Sequence, residues 1–191
     1  MSEDSNAAKA NPLSFLLDPS PAFSGWLFSL GLWGLLLGIL NVLHIATPTG
    51  DKIVWASILS IGIVGGEYLS NNPDFRLYSD TGFLALSAMV TGLGLRGILA
   101  GVEGGIVGWL EGVRDAFWPS LVDVDSEGGW NSTLSAWFLV IGLGFYLIMG
   151  LLRSGWMDPG VYSVAAPFIA FGIALRLLTK ATATEGAHSS D

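Results

Sequence analysis

The chain has 191 residues, of which 51% are hydrophobic and only 13% charged, with a mean hydropathy of +0.59. Soluble domains carry about 25% charged residues, so charge is depleted roughly twofold and its gaps fall in blocks. Sixteen acidic against eight basic residues give a net charge of −8, which excludes a basic nucleic-acid surface or a polybasic lipid anchor. The absence of cysteine excludes disulfides, thiolate metal sites and cysteine nucleophiles.

The acid-rich, cysteine-free composition has only three lysines, Lys9, Lys52 and Lys180. In these respects it resembles proteins of salt-accumulating halophilic archaea and their viruses. That likeness is one of composition, without a family motif.

Residues 1–22 read as a polar tail followed by a short interfacial segment between Pro12 and Pro19. The acidic start, MSEDSNAAKANP, and the long apolar run behind it predict a retained signal-anchor. From Pro19 to Gly50 there are 32 residues without Asp, Glu, Lys or Arg. About 20 apolar residues cross a bilayer, so a first span is expected over 23–46, ending at the breaker Thr47-Pro48-Thr49-Gly50. A second is expected over 53–70, the weakest of the set because only 14 residues separate Lys52 from Glu67. A third begins at Thr81, covers 81–102 and extends to Trp118 without a proline. As one helix it is roughly 57 Å long, so it either projects from the membrane or bends at its glycines. After the acidic linker Pro119–Trp130 come spans at 134–152, with Ser132 or Thr133 as cap, and at 161–178. Residues 180–191 read as a disordered tail. The expected fold is an all-α polytopic transmembrane bundle of about five spans with one long glycine-rich helix, the transmembrane domain covering 23–179.

Residues 92–112, GLGLRGILAGVEGGIVGWLEG, contain eight glycines in small-xxx-small spacing. On a helix Gly97, Gly101, Gly104, Gly105, Gly108 and Gly112 gather on one face. Each costs about 1 kcal/mol relative to alanine, so a close helix neighbour is needed to offset them. That neighbour is either another helix of the chain, with Gly62 and Gly66 of the second span as a candidate, or a copy of the same helix. Arg96, Glu103, Glu111 and Arg114 form a polar stripe on a second face. With Glu67, Arg96 and Glu103 are the candidate intramembrane polar sites. The stripe either snorkels to the headgroups or lines a water-filled path in an oligomer.

Catalytic chemistry is sparse. His44 sits near the end of the first span and His188 in the tail, which makes no haem or metal cluster. No P-loop and no GxSxG occurs. No catalytic, cofactor-binding or metal-binding residue is therefore expected, and no cofactor. Asn131-Ser132-Thr133 matches a glycosylation acceptor but abuts a span, where capping is the simpler role. Trp26, Trp55, Trp118, Trp130, Trp137 and Trp156 near span ends read as an aromatic belt. With five spans the seven basic residues other than Arg96 divide three against four, so orientation stays open. The expected partners are the lipid bilayer and either further copies of the chain or another membrane protein, and no nucleic acid. The expected function is non-enzymatic assembly as a structural or accessory subunit of a cellular or viral membrane. The alternative is a small homo-oligomeric channel or transporter lined by residues 92–114.

Overall fold

The computed structural model describes residues 19–64, 66–72, 74–122 and 129–188. The segment between Pro12 and Pro19 and most of the N-terminal tail lie outside the described residues. The architecture is all-α, with six α-helices and one two-stranded ladder among the described residues. Helix α1 is Pro21–Val42. Strand β1 is Lys52–Ile53, helix α2 Trp55–Leu59 and strand β2 Leu69–Ser70. Then follow α3, Leu77–Gly101, α4, Gly105–Val122, α5, Gly129–Arg153, and α6, Pro159–His188.

Helix α1 starts where the Ser20 hydroxyl accepts from the Phe23 N–H and Pro21 occupies the first turn, where a missing donor costs nothing. It ends in a Schellman motif. His44 takes a left-handed φ of 62°, its N–H donates to Asn41 O, and the Ile45 N–H donates to Leu40 O.

Helices α1 and α3 pack antiparallel, backbone close to backbone. A Cβ at Gly31 would collide with the Thr91 backbone, one at Gly34 would come 2.5 Å from Ser87 Oγ, and one at Gly94 would collide with Phe28 N. Helices α5 and α6 make the second antiparallel pair. There a Cβ at Gly142 would fall 2.8 Å from Ile169, and Ser135 Oγ donates to Gly172 O at 2.7 Å. The two pairs meet through Trp33, whose ring lies 5.1 Å from that of Tyr146 and 5.8 Å from that of Trp156. The Met157 N–H also donates to Ala46 O, so the turn between α5 and α6 touches the turn after α1. Chain direction therefore places residues 43–76 and 154–158 at one end, the capped end, and α4 at the other.

Helices α1, α3, α5 and the Pro159–Thr179 part of α6 are long and apolar enough to cross a membrane. Four such helices mark a multi-pass membrane protein. Only 33% of the most apolar stretch of α1 and 17% of that of α6 is buried, so most of their surface faces outward.

Several expectations are corrected. Residues 53–70 do not span; they leave α1 as a strand, make one turn of α2 and return through β2, paired antiparallel as Lys52 with Ser70 and Ile53 with Leu69. The 81–118 stretch is two helices, broken where Val102 is extended and Gly104 and Gly105 take left-handed φ values of 78° and 61°. Glycine allows that turn at little steric cost. Ser132 and Thr133 do not cap a helix, because α5 begins at Gly129 and leaves both inside it; Ser132 Oγ donates to Ser120 Oγ instead. Helix α6 runs on to His188, through an alanine- and threonine-rich stretch with no proline to stop it. With four spans Lys52, Arg76 and Arg153 fall at the capped end, and Arg96, Arg114 and Arg176 towards the other, which is again no positive-inside signal.

Candidate functional site

Among the described residues, the most highly organised polar group lies where residues 43–76 fold over the ends of α1 and α3. Asp80 and Lys52 form an ion pair at 3.0 Å, their side chains 1% and 2% exposed. Removing two charges from water is costly unless the remaining lone pairs and protons are satisfied. Here they are. Asp80 also accepts from the Arg76 N–H at 3.0 Å and from Asn41 Nδ2 at 3.4 Å, while Lys52 Nζ donates to Asp74 O at 3.2 Å. Asp80 stands in the first turn of α3, reaching back to the residue before the helix, where the positive end of the helix dipole favours a carboxylate.

Asn41 is fully buried and acts as a surrogate strand. Its Oδ1 accepts from the Ile53 N–H at 2.7 Å and its Nδ2 donates to Ile53 O at 3.0 Å. One side chain thus satisfies both backbone groups of β1 on the side away from β2. Further ties complete the cap. The Ala56 N–H donates to Ser79 Oγ, Arg76 Nη2 donates to Ser70 Oγ at 2.7 Å, and the Trp55 ring stacks flat on Phe83 with centroids 3.7 Å apart. Trp55 Nε1 has no hydrogen-bond partner among the described residues.

Beside this cap, Tyr146 and Tyr162 both donate to Trp156 O, at 2.7 and 2.8 Å. The Trp156 ring occupies the space a side chain at Gly150 would need. Trp55 and Trp156 are therefore packing residues and not members of an interfacial belt, whereas Trp26, Trp118, Trp130 and Trp137 are exposed.

The glycines singled out in the sequence fall into three settings. Gly97 and Gly101 face the start of α1, where added Cβ atoms would press on Ser24 and on Pro21. Their neighbour is α1; Gly62 and Gly66 instead sit in the 43–76 excursion with left-handed φ values of 83° and 66°. Gly104 and Gly105 make the break between α3 and α4, and a Cβ at Gly108 would strike Glu103 O across it. Gly112 meets nothing within 4 Å. With Gly108, Trp109, Val113 and Pro21 it lines a cleft of about 390 Å³ between α4 and α1, in which Arg176 is the one charged lining residue.

The polar candidates are not brought together. Arg96, Glu103 and Glu67 are exposed; Glu67 is at the capped end and Arg96 near the opposite one. The break at Val102–Gly105 also removes the single helix on which Arg96, Glu103, Glu111 and Arg114 would form a stripe. Arg114 pairs with its neighbour Asp115 at 2.8 Å in the open, a hydrogen bond that raises the guanidinium pKa further above its ordinary value. Among the described residues no three His, Asp or Glu side chains group to hold a metal ion.

Comparison with protein-family models, with curated proteins and with solved structures finds no match.

Proposed function

We propose that the chain works by assembly, as a non-enzymatic structural or accessory subunit of a cellular or viral membrane, with its composition pointing to a salt-accumulating host. The observation that carries the reading is the set of glycines turned outward on the spans. Gly82 and Gly92 on α3 and Gly144 on α5 have nothing within 4 Å of where a Cβ would stand. Each costs about 1 kcal/mol relative to alanine, and lipid tails return nothing for it. A second helix does, through close backbone approach and dispersion. The inward glycines, among them Gly31, Gly94 and Gly142, already have such neighbours; the outward three fit a neighbour from outside the chain.

The break at Val102–Gly105 removes the single glycine-rich helix on which a channel lining over residues 92–114 was expected, so assembly is the preferred reading. Oligomer size in mild detergent and in nanodiscs tests it. Gly92→Leu and Gly144→Leu are expected to shift the chain to smaller species without unfolding it, since neither position is crowded. A wild-type chain that is monomeric throughout, with both variants unchanged, overturns the reading.

A further inference from the structure

Residues 55–64 carry membrane-like side chains on a backbone that does not cross. Ile61 and Ile63 are 86% and 88% exposed, and Leu59 and Val64 are also exposed. A water-facing loop rarely gathers so many large aliphatic groups at its tip. The loop is nevertheless polar inside. Ser57 Oγ donates to Val64 O at 2.9 Å, Ser60 Oγ donates to Ala56 O at 2.6 Å, and Ser60 Oγ also accepts from the Val64 N–H at 2.9 Å. The N–H groups of Ile61, Gly62 and Ile63 donate to the carbonyls of Ile58, Ser57 and Ser60. Serine hydroxyls and tight turns thus pair the N–H groups of residues 61–64, which a helix would otherwise have paired. Such internal pairing is what hydrocarbon demands of non-helical backbone and what water would make unnecessary.

Depth agrees with chemistry. Trp55 stacks on Phe83, and the Phe83 ring lies against Gly34 and Gly38 of α1. Those glycines are four and eight residues before Val42, roughly 6–12 Å below the end of α1 at 1.5 Å per residue. A 22-residue helix just spans the hydrocarbon, so the Trp55 ring lies inside the leaflet, while the loop backbone starts near the helix end, where the Ala56 N–H donates to Ser79 Oγ in the first turn of α3. The lock at Asn41, Lys52 and Asp80 sits above it, at the level of the helix ends.

We propose that residues 55–64 form a lipid-immersed re-entrant loop, seating Leu59, Ile61, Ile63 and Val64 in the hydrocarbon of the capped-end leaflet. Its occupant is lipid tail and not a second protein surface, because the loop is anchored on a membrane span, through Trp55 on Phe83 and the Ala56 N–H on Ser79 Oγ, and that span turns its own apolar residues Leu77, Leu86 and Met89 outward. Ile61 holds a left-handed φ of 54°, an uncommon conformation for a β-branched residue, and hydrocarbon solvation of its side chain helps offset that strain.

The chain has no cysteine, so single thiols can be placed without altering the background. Leu59→Cys, Ile61→Cys and Ile63→Cys are compared in lipid vesicles with Thr49→Cys, in the turn after α1, and Ile141→Cys, exposed midway along α5. A thiol reacts as its thiolate, which hydrocarbon disfavours, so the loop thiols should label with a maleimide roughly tenfold or more slower than Thr49→Cys, like Ile141→Cys. Spin labels at the same positions should collide freely with dissolved oxygen and poorly with a water-soluble nickel chelate. Labelling as fast as Thr49→Cys overturns the proposal. So does slow labelling with low collision rates for both oxygen and nickel, the signature of a loop covered by another protein or a second copy. Three positions are used so that one misfolded variant does not decide the outcome.

Discussion

At the capped end, two segments distant in sequence converge on Asp80, which is fully partnered: Lys52 from β1 and Asn41 from the end of α1 join the backbone of the nearby Arg76. At the opposite end α4 buries no residue, meets α1 mainly through Trp109 against Gly25 and Phe28, and leaves a cleft open beside it. The two ends differ in what membrane burial requires of them. The excursion at the capped end has strand backbone and side-chain charge buried among Asn41, Lys52, Ile53 and Asp80, so it needs a lock. Helix α4 pairs its own backbone and can lie on the rest of the molecule with little fixed contact. Rigidity at one end and looseness at the other follow from backbone chemistry before any function is considered.

The sharpest way to break that contrast is to remove one member of the ion pair. Lys52→Met alone or Asp80→Leu alone leaves a buried charge without its partner and is expected to destabilise by about 3–5 kcal/mol. The double variant restores a large part of the loss, because neither charge then remains. Reversible unfolding in mixed micelles measures both. Equal stability of the single variants and wild type would mean that the cap is solvated and not buried.

Asn41→Leu comes next. It keeps the volume but deprives Ile53 of a donor and an acceptor, and leaving such groups unmet costs about 1–3 kcal/mol each. Hydrogen exchange at the Ile53 amide should accelerate in step with the loss of stability. Exchange left as slow as in wild type would show that β1 is held by β2 alone.

Much of this was legible in the sequence and some was not, for physical reasons. The four spans follow from neutral runs, because hydrocarbon solvation is a property of composition along the chain. Residues 53–70 have the same composition, yet their fate depends on Asn41, Ser79 and Asp80, which no local period connects to them. The cluster leaves no local period in the chain. The available signals were a lone amide, Asn41, in a neutral run and a serine pair, Ser57 and Ser60, inside an apolar stretch too short to cross comfortably. The glycine face was visible as a face, but its neighbour was not, since Gly97 and Gly101 meet Ser24, Pro19 and Pro21 nearly eighty positions away. The break at Gly104 and Gly105 was foreshadowed by helix length, not located by it.

A smaller test compares glycines at the two kinds of contact. Gly94→Ala puts a methyl group against the Phe28 backbone, in the tightest part of the α1–α3 interface. Backbone cannot yield as a side chain can, so overpacking should cost about 1–3 kcal/mol. Loss of less than that would mean that the two helices separate readily, and the pair would then resemble the loose end more than the locked one.

Gly112→Ala is the counterpart and the smallest expected effect. Its Cβ would enter open space beside the cleft, so nothing opposes it sterically, and alanine gains up to about 1 kcal/mol of helix propensity. Unchanged or slightly raised stability is the expected result. A clear loss would show that α4 is pressed against a neighbour at Gly112, and that the loose end is loose only in a single copy. Oligomer size measured on the same sample separates those cases: a loss of stability with a loss of oligomer places the neighbour in another chain, and a loss without it places the neighbour in this one.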